Sequence, residues 1–391
     1  MADIVAPTDE QLDALVAPYL EHQPSGLAFA IGYASPQIPG NAGIYLKGSL
    51  IDQYWRPMTL DGDALFEIAS VSKTFTATLF ACLVAKYVDQ NPTLGDFFED
   101  PPRLRIGRQF YGIRIADLLS YTSGLPADND KAFGPPYWPR PYTVPGMCGF
   151  LAMTDYQPVD SGAAYTYSNL GFALAAAATQ RMADIPDASF VELMRRYVFG
   201  PLGMTRSTFF GRTDIARLPL GHVYSSPTAY TATAPGWPGF PAYNGAGGVV
   251  TTPRDMMTWL QFNMGMLVDD GLSPLLARLQ TPATAVTTAA GAQLGLGWFL
   301  SPPDTPVPLI WKDGQIAGCN SYVLFQQSAA PGSAASQAGV FVLTNASGIK
   351  TAKGKEVVAA LAHDVLTLMQ GGTAPAEHPA WTETVGRLPP M

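Results

Sequence analysis

Two side chains three positions apart could together make a nucleophile. They are Ser70 and Lys73, within Phe66-Glu-Ile-Ala-Ser-Val-Ser-Lys-Thr-Phe-Thr-Ala-Thr-Leu-Phe80. A serine hydroxyl is a poor nucleophile at neutral pH until a neighbouring base takes its proton. Residues i and i+3 share one face of a helix. An apolar periodic segment begins here, which predicts a helix starting at Ser70 and sets the Lys73 amine beside the hydroxyl. A helix N-terminus also offers unpaired backbone N–H groups and positive potential, which favour an oxyanion and hold a lysine pKa down. The spacing alone is weak, because Ser347-Gly-Ile-Lys350 shares it. That second match follows Gly339-Val-Phe-Val-Leu-Thr344 and contains a glycine, so it reads as a strand running into a solvated turn.

The elements that must position Ser70 follow from periodicity. Asp9–Tyr19 reads as an amphipathic helix with Thr8 as N-cap. Residues 26–33 and 43–48 read as adjacent strands, and residues 71–88 as a helix too apolar all round to lie on a surface. Short helices are predicted over Arg114–Tyr121, Asn169–Ala183, Ser189–Val198 and Pro253–Met264. Ala127–Pro145 and Tyr224–Tyr243 read as loops. Four strand candidates follow, at 295–300, 307–311, 321–325 and 339–344, and then a helix over Lys355–Met369. Strands at both ends with helices between imply an α/β chain of the α+β type. Its antiparallel sheet combines N- and C-terminal strands, flanked by the terminal helices, and a mainly helical lobe stands beside it with the active site in the cleft. We expect a single catalytic domain over 1–391, with residues 1–65 and 290–391 forming the α/β lobe and 66–289 the helical lobe.

Composition narrows the partners. The 391 residues suffice for a large core, and 38 glycines and 35 prolines suit a globular chain with many structured loops. A net charge of −8 argues against nucleic acid. No apolar run is long enough to span a membrane and no secretory signal is legible, so the chain reads as cytoplasmic as written, or periplasmic or secreted if Met1 replaces a removed signal. The three cysteines match no zinc or redox spacing and the four histidines are scattered, so neither a metal nor another cofactor is implied.

Two further motifs follow in order. Tyr167-Ser-Asn169 is the only Y-x-N and stands just before the helix at Gly171, while Lys312-Asp-Gly314 is the only K-x-G and lies between strand candidates. Taken singly, a tyrosine before a helix is usually a packing residue, an asparagine there a cap, and a Lys-Asp-Gly a turn. Together the three motifs resemble the serine β-lactamase and penicillin-binding-protein superfamily, and most closely its class C branch. The flanks resemble it too: Leu118-Leu-Ser-Tyr-Thr-Ser-Gly-Leu-Pro126, Phe199-Gly-Pro-Leu-Gly-Met204 and Gly247-Gly-Val-Val-Thr-Thr-Pro-Arg-Asp255. The likeness runs from about Gly26 to Val365.

The resemblance implies a role for each matched position. Ser70 is the acylated nucleophile and Lys73 lowers the barrier to its deprotonation. Tyr167 shuttles the proton, which needs a phenol pKa lowered by nearby lysines. Asn169 bonds Lys73 and the substrate amide, and Lys312 supplies positive charge across the cleft. The backbone N–H groups of Ser70 and Gln315 form the oxyanion hole. The substrate is then a small-molecule or peptide acyl donor lying along Gly314. Two positions depart from the pattern. Asp313 replaces the hydroxyl residue that helps hold a substrate carboxylate, and an aspartate there repels a carboxylate or pairs with a nearby cation. Gly247 replaces an aromatic and opens the pocket, while Trp138 and Trp237, on the two long loops, are candidate rims for an apolar acyl group. A DD-peptidase, an esterase, a true class C β-lactamase and an acyltransferase all use these residues. A non-catalytic penicillin-recognising sensor on the same fold is a more remote reading.

Overall fold

The computed structural model describes residues 3–21, 23, 25–87, 91–99, 104–128, 142–158, 160–183, 185, 188–209, 217–226, 229–233, 241–328, 337–351 and 353–374. Seven strands make the main sheet: β1 Ala28–Ala34, β2 Ala42–Gly48, β3 Gln293–Leu294, β4 Phe299–Leu300, β5 Leu309–Ile316, β6 Cys319–Gln326 and β7 Gly339–Thr344. Their spatial order is β3-β4-β5-β6-β7-β1-β2, antiparallel throughout. The N-terminal hairpin therefore docks on the most C-terminal strand of this sheet, with Ile31 opposite Val342.

The central strands are apolar on both faces because both are covered. Phe29, Ile31, Leu324, Val340 and Val342 pack with helices α1 (Asp9–Leu20) and α5 (Val357–Met369). Ala28, Ala30, Val323, Phe325, Phe341 and Leu343 face the other way. There they meet a cluster that holds α2 (Ser72–Tyr87), α3 (Asn169–Met182) and α4 (Pro253–Asn263). Successive residues of a strand point to opposite faces, so one apolar run serves both layers.

Helix α2 is the centre of the helical side. Phe75 stacks on Trp259 of α4 with ring centroids 3.7 Å apart. Its buried threonines are all satisfied: Thr74 Oγ1 donates to the Val71 carbonyl, Thr78 Oγ1 to that of Thr74 and Thr76 Oγ1 to that of Gly245. At the chain's start, Thr8 and Gln11 form the reciprocal cap that begins α1.

Four expectations need correcting. The α-helix begins at Ser72, and Ser70 lies in a tighter 3-10 turn over Ala69–Val71. Residues 295–300 are not one strand: β3 and β4 are separated by a turn with Gly297 at φ +78°, a conformation that suits a residue without Cβ. Lys312-Asp-Gly314 lies inside β5, whose continuous pairing with β6 carries it through the motif. Part of the expected loop 224–243 is sheet, since Gly221–Ser226 and Ala229–Thr233 pair antiparallel. Tyr230, Thr231 and Thr233 are residue types that favour a pleated, half-buried surface. No helix among the described residues is long and apolar enough to cross a membrane.

Candidate active site

The turn that carries Ser70 is pinned on several sides. Ala69 takes φ +42°, rare for a residue with a side chain. The Ile68 carbonyl accepts from Ser321 Oγ of β6 at 2.8 Å, and the Val249 N–H donates to Ser72 Oγ at 3.0 Å. Strand β5 runs against the same turn. A Cβ placed on Gly314 would stand 2.4 Å from the Ile68 oxygen and 2.9 Å from the Ser70 nitrogen, so only glycine fits. Strand β4 pairs with β5 only at residues 310 and 311. The segment carrying Lys312 to Gln315 therefore presents its outer edge to Ser70, which places Gln315 one residue beyond the closest approach.

Lys73 is wholly buried. Its Nζ reaches Ser70 Oγ at 3.0 Å, Asn169 Oδ1 at 2.7 Å and the Ala246 carbonyl at 2.6 Å. Burial is the main influence on the amine and pulls its pKa below the ordinary value, with the Lys312 charge acting in the same direction. Tyr167 lies between the two lysines, with Lys73 Nζ 4.9 Å and Lys312 Nζ 5.3 Å from its ring centroid. Burial opposes ionisation of this phenol, but the Lys312 and Lys73 charges outweigh it and bring the pKa below the usual tyrosine value. Lys312 is itself buried, and Asp313 holds it: its Nζ donates to the Asp313 carbonyl at 2.7 Å and to Oδ1 at 2.9 Å. Burial disfavours this ammonium too, yet the Asp313 and Tyr167 charges hold its pKa above the usual lysine value. The Lys312 charge in turn pulls the Asp313 carboxyl down.

Most of the residues singled out in the sequence thus share one cluster: Ser70, Lys73, Tyr167, Asn169 and Lys312, with Asp313, Gly314 and Gln315 along the adjoining strand. Gly247 is buried in the helical turn Asn244–Gly247, next to the carbonyl that binds Lys73. Trp138 and Trp237 lie outside the described residues. Asp313 alone of the charged groups here keeps an open side chain, 60% exposed against 0% for Lys312. A cavity of about 480 Å³ opens beside it, walled by Gln315, Asn320, Tyr322, Lys355 and His363 but not by Ser70. Ser347 and Lys350, the decoy pair, stand apart: Lys350 Nζ bonds Glu356 at 2.5 Å and Ser347 Oγ accepts from the Gly318 N–H.

Three contributors were missed. Asp128 Oδ1 accepts from Asn169 Nδ2 at 3.0 Å and so turns the amide oxygen toward Lys73. The Ala246 carbonyl is main chain and carries no residue-type signal. Tyr121 stacks flat on Tyr167, with centroids 5.4 Å apart. Its place in Leu-Leu-Ser-Tyr-Thr-Ser-Gly-Leu-Pro was visible, but nothing in sequence spacing pairs it with a residue 46 positions later.

An antiparallel sheet over a helical core, with an S-x-x-K serine and lysine in contact, defines the class: the serine β-lactamase and penicillin-binding-protein superfamily. The profile of the Beta-lactamase family matches residues 12–364, and the chain belongs to that family. It is 27% identical over 278 residues, 67% of each chain, to the D-alanyl-D-alanine-carboxypeptidase/endopeptidase AmpH of Escherichia coli K12. The fold is shared with an octameric penicillin-binding protein homologue from Pyrococcus abyssi at TM-score 0.72 and 18% identity, over 95% of this chain and 79% of that one. It is likewise shared with a β-lactamase/D-alanine carboxypeptidase from Yersinia pestis at TM-score 0.67 and 22% identity, over 93% and 99%.

Proposed function

We propose that the chain is a serine hydrolase that works through a Ser70 acyl-enzyme on amide or ester substrates, of the DD-peptidase-like or esterase-like kind. Family membership supports the serine-hydrolase class. The observation that carries the rest is the 3.0 Å contact between Ser70 Oγ and a buried Lys73 with a lowered pKa. In this reading Ser70 Oγ attacks the acyl carbon while its proton passes to the Tyr167 phenolate. The carbonyl oxygen becomes an oxyanion facing the Ser70 and Gln315 N–H groups. Tyr167 then gives the proton to the departing alkoxide or amine. Water gives its proton to Tyr167 and attacks the acyl-enzyme ester, and Tyr167 returns that proton to Ser70 Oγ as the carboxylic acid product leaves. Residues 1–65 and 290–391 act as one lobe and 66–289 as the other, with this chemistry between them.

Asp313 bears on the substrate. In this reading its open carboxylate repels an anionic acyl donor bound along β5, so a neutral or amine-bearing substrate is favoured over a penicillin. Intact-mass spectrometry after exposure to penicillin, a p-nitrophenyl ester and a D-Ala-D-Ala peptide tests the reading. An acyl adduct is expected in the wild type and not in Ser70→Ala; no adduct and no turnover with any of the three sinks the hydrolase. Asp313→Thr is expected to raise β-lactam acylation by about tenfold, roughly 1.4 kcal/mol in barrier. An unchanged acylation rate removes the specificity argument.

A further inference from the structure

We propose that Tyr121 is a positioning residue for Tyr167, holding that phenol flat between the two lysines from behind. The two ring centroids lie 5.4 Å apart at 13°, and the Phe299 ring of β4 lies 5.1 Å from Tyr121 at 7°, so the three ring planes are near parallel. Phe172 of α3 closes a third side of Tyr121 at 5.2 Å. The buried Tyr121 hydroxyl donates to the Gly297 carbonyl at 3.0 Å. Gly297 is in turn tied back, its N–H donating to the Leu119 carbonyl at 2.8 Å. The main chain joins in: the Tyr121 carbonyl accepts from the N–H of Thr166, the residue before Tyr167, at 2.7 Å. Tyr121 thus grips Tyr167 through both ring and backbone.

The backbone of Tyr121 is strained. It takes φ +60°, where a residue with a side chain costs on the order of 1–2 kcal/mol and glycine or asparagine is easier. Packing alone does not call for an aromatic ring in that conformation, since an aliphatic side chain also fills a core. A flat ring in this place does one thing an aliphatic cannot: it presents a parallel face that fixes the plane of Tyr167. The Lys73 and Lys312 nitrogens lie 4.9 and 5.3 Å from the Tyr167 ring centroid, and their pull on the phenol falls off with distance from its oxygen. A ring free to tilt would carry its oxygen away from them.

The catalytic consequence rests on Tyr167 carrying the proton, so the test includes a readout that does not depend on turnover. Tyrosinate absorbance is titrated in each protein, with the Tyr167→Phe curve subtracted to isolate Tyr167. Tyr121→Phe keeps the ring and is expected to leave that midpoint and kcat/KM within about threefold of the wild type. Tyr121→Leu is expected to raise the midpoint, shift the acidic limb of kcat/KM to higher pH, and lower kcat at least tenfold with KM little changed. A folded Tyr121→Leu with an unmoved midpoint overturns the proposal. If Tyr121→Leu does not fold, Phe299→Leu removes a ring stacked on Tyr121; the same upward shift supports the proposal and an unmoved midpoint overturns it. Absence of a Ser70 adduct in the wild type would defeat the hydrolase and leave the titration to decide on Tyr121.

Discussion

Lys73 has three acceptors for its nitrogen, and an ammonium has three N–H groups to fill them. Remove one proton and two N–H groups remain for Asn169 and Ala246, leaving a lone pair directed at Ser70. The site is thus arranged so that deprotonating the lysine costs no bond to the scaffold. Lys312 plays the complementary part as a fixed charge, anchored by Asp313 and facing the Tyr167 ring. Lys312→Met should therefore let the Tyr167 pKa rise toward its ordinary value. In a pH series of kcat/KM the acidic limb is then expected at higher pH, with activity at neutral pH down roughly 10²-fold. An unmoved limb would mean that Tyr167 is not the group that titrates. At this scale the sequence was most legible where side-chain type is demanding, as for Ser70, Lys73, Tyr167 and Lys312. It was silent on Asp128 and Ala246, whose parts depend on where a distant backbone passes.

Among the elements, the contact of β5 with the nucleophile turn is the tightest tolerance. Gly314 sits on Ile68 and Ser70 with no room for a methyl group. Gly314→Ala should push the strand and the turn apart by several tenths of an ångström or more. Misplacement on that scale costs about 10²-fold in rate, so kcat should fall by that order while circular dichroism shows the sheet intact. Retained activity would mean that the strand edge is not part of the site. The element boundaries explain why periodicity misread this region. Lys312-Asp-Gly314 has the composition of a turn, yet eight consecutive pairs with β6 override it. Tertiary pairing also breaks 295–300 at Gly297, because that glycine must pass 2.9 Å, measured from an added Cβ, from the Lys73 carbonyl.

Across the whole molecule one buried side chain ties three distant segments together. Asn345 Nδ2 donates to the carbonyls of Gly26 at 2.6 Å and Leu220 at 2.8 Å, and its Oδ1 accepts from Ala28 N–H at 2.9 Å. The Gly26 carbonyl also faces buried His222 Nε2 at 3.2 Å. Asn345→Ala leaves buried backbone groups unpaired and is expected to cost about 3 kcal/mol, read as a lower denaturant midpoint with m unchanged. The α+β class and the split of sheet strands between the two ends of the chain were legible because long apolar runs at both termini leave few other partners. The pairing of β1 with β7 was not, because no local pattern encodes which distant strand a hairpin will meet.

That pairing sets a timetable for the chain's synthesis. The β1–β2 hairpin leaves the ribosome early, but the strand it docks on lies roughly 290 residues later, about 15–60 s of translation. Throughout that interval Phe29 and Ile31, both fully buried in the finished sheet, lack their β7 partners Thr344 and Val342. The sheet closes only after nearly the whole polypeptide has emerged. A truncated product that ends before Gly339 must therefore carry an unpaired, apolar strand edge of the kind that chaperones bind and that seeds aggregation.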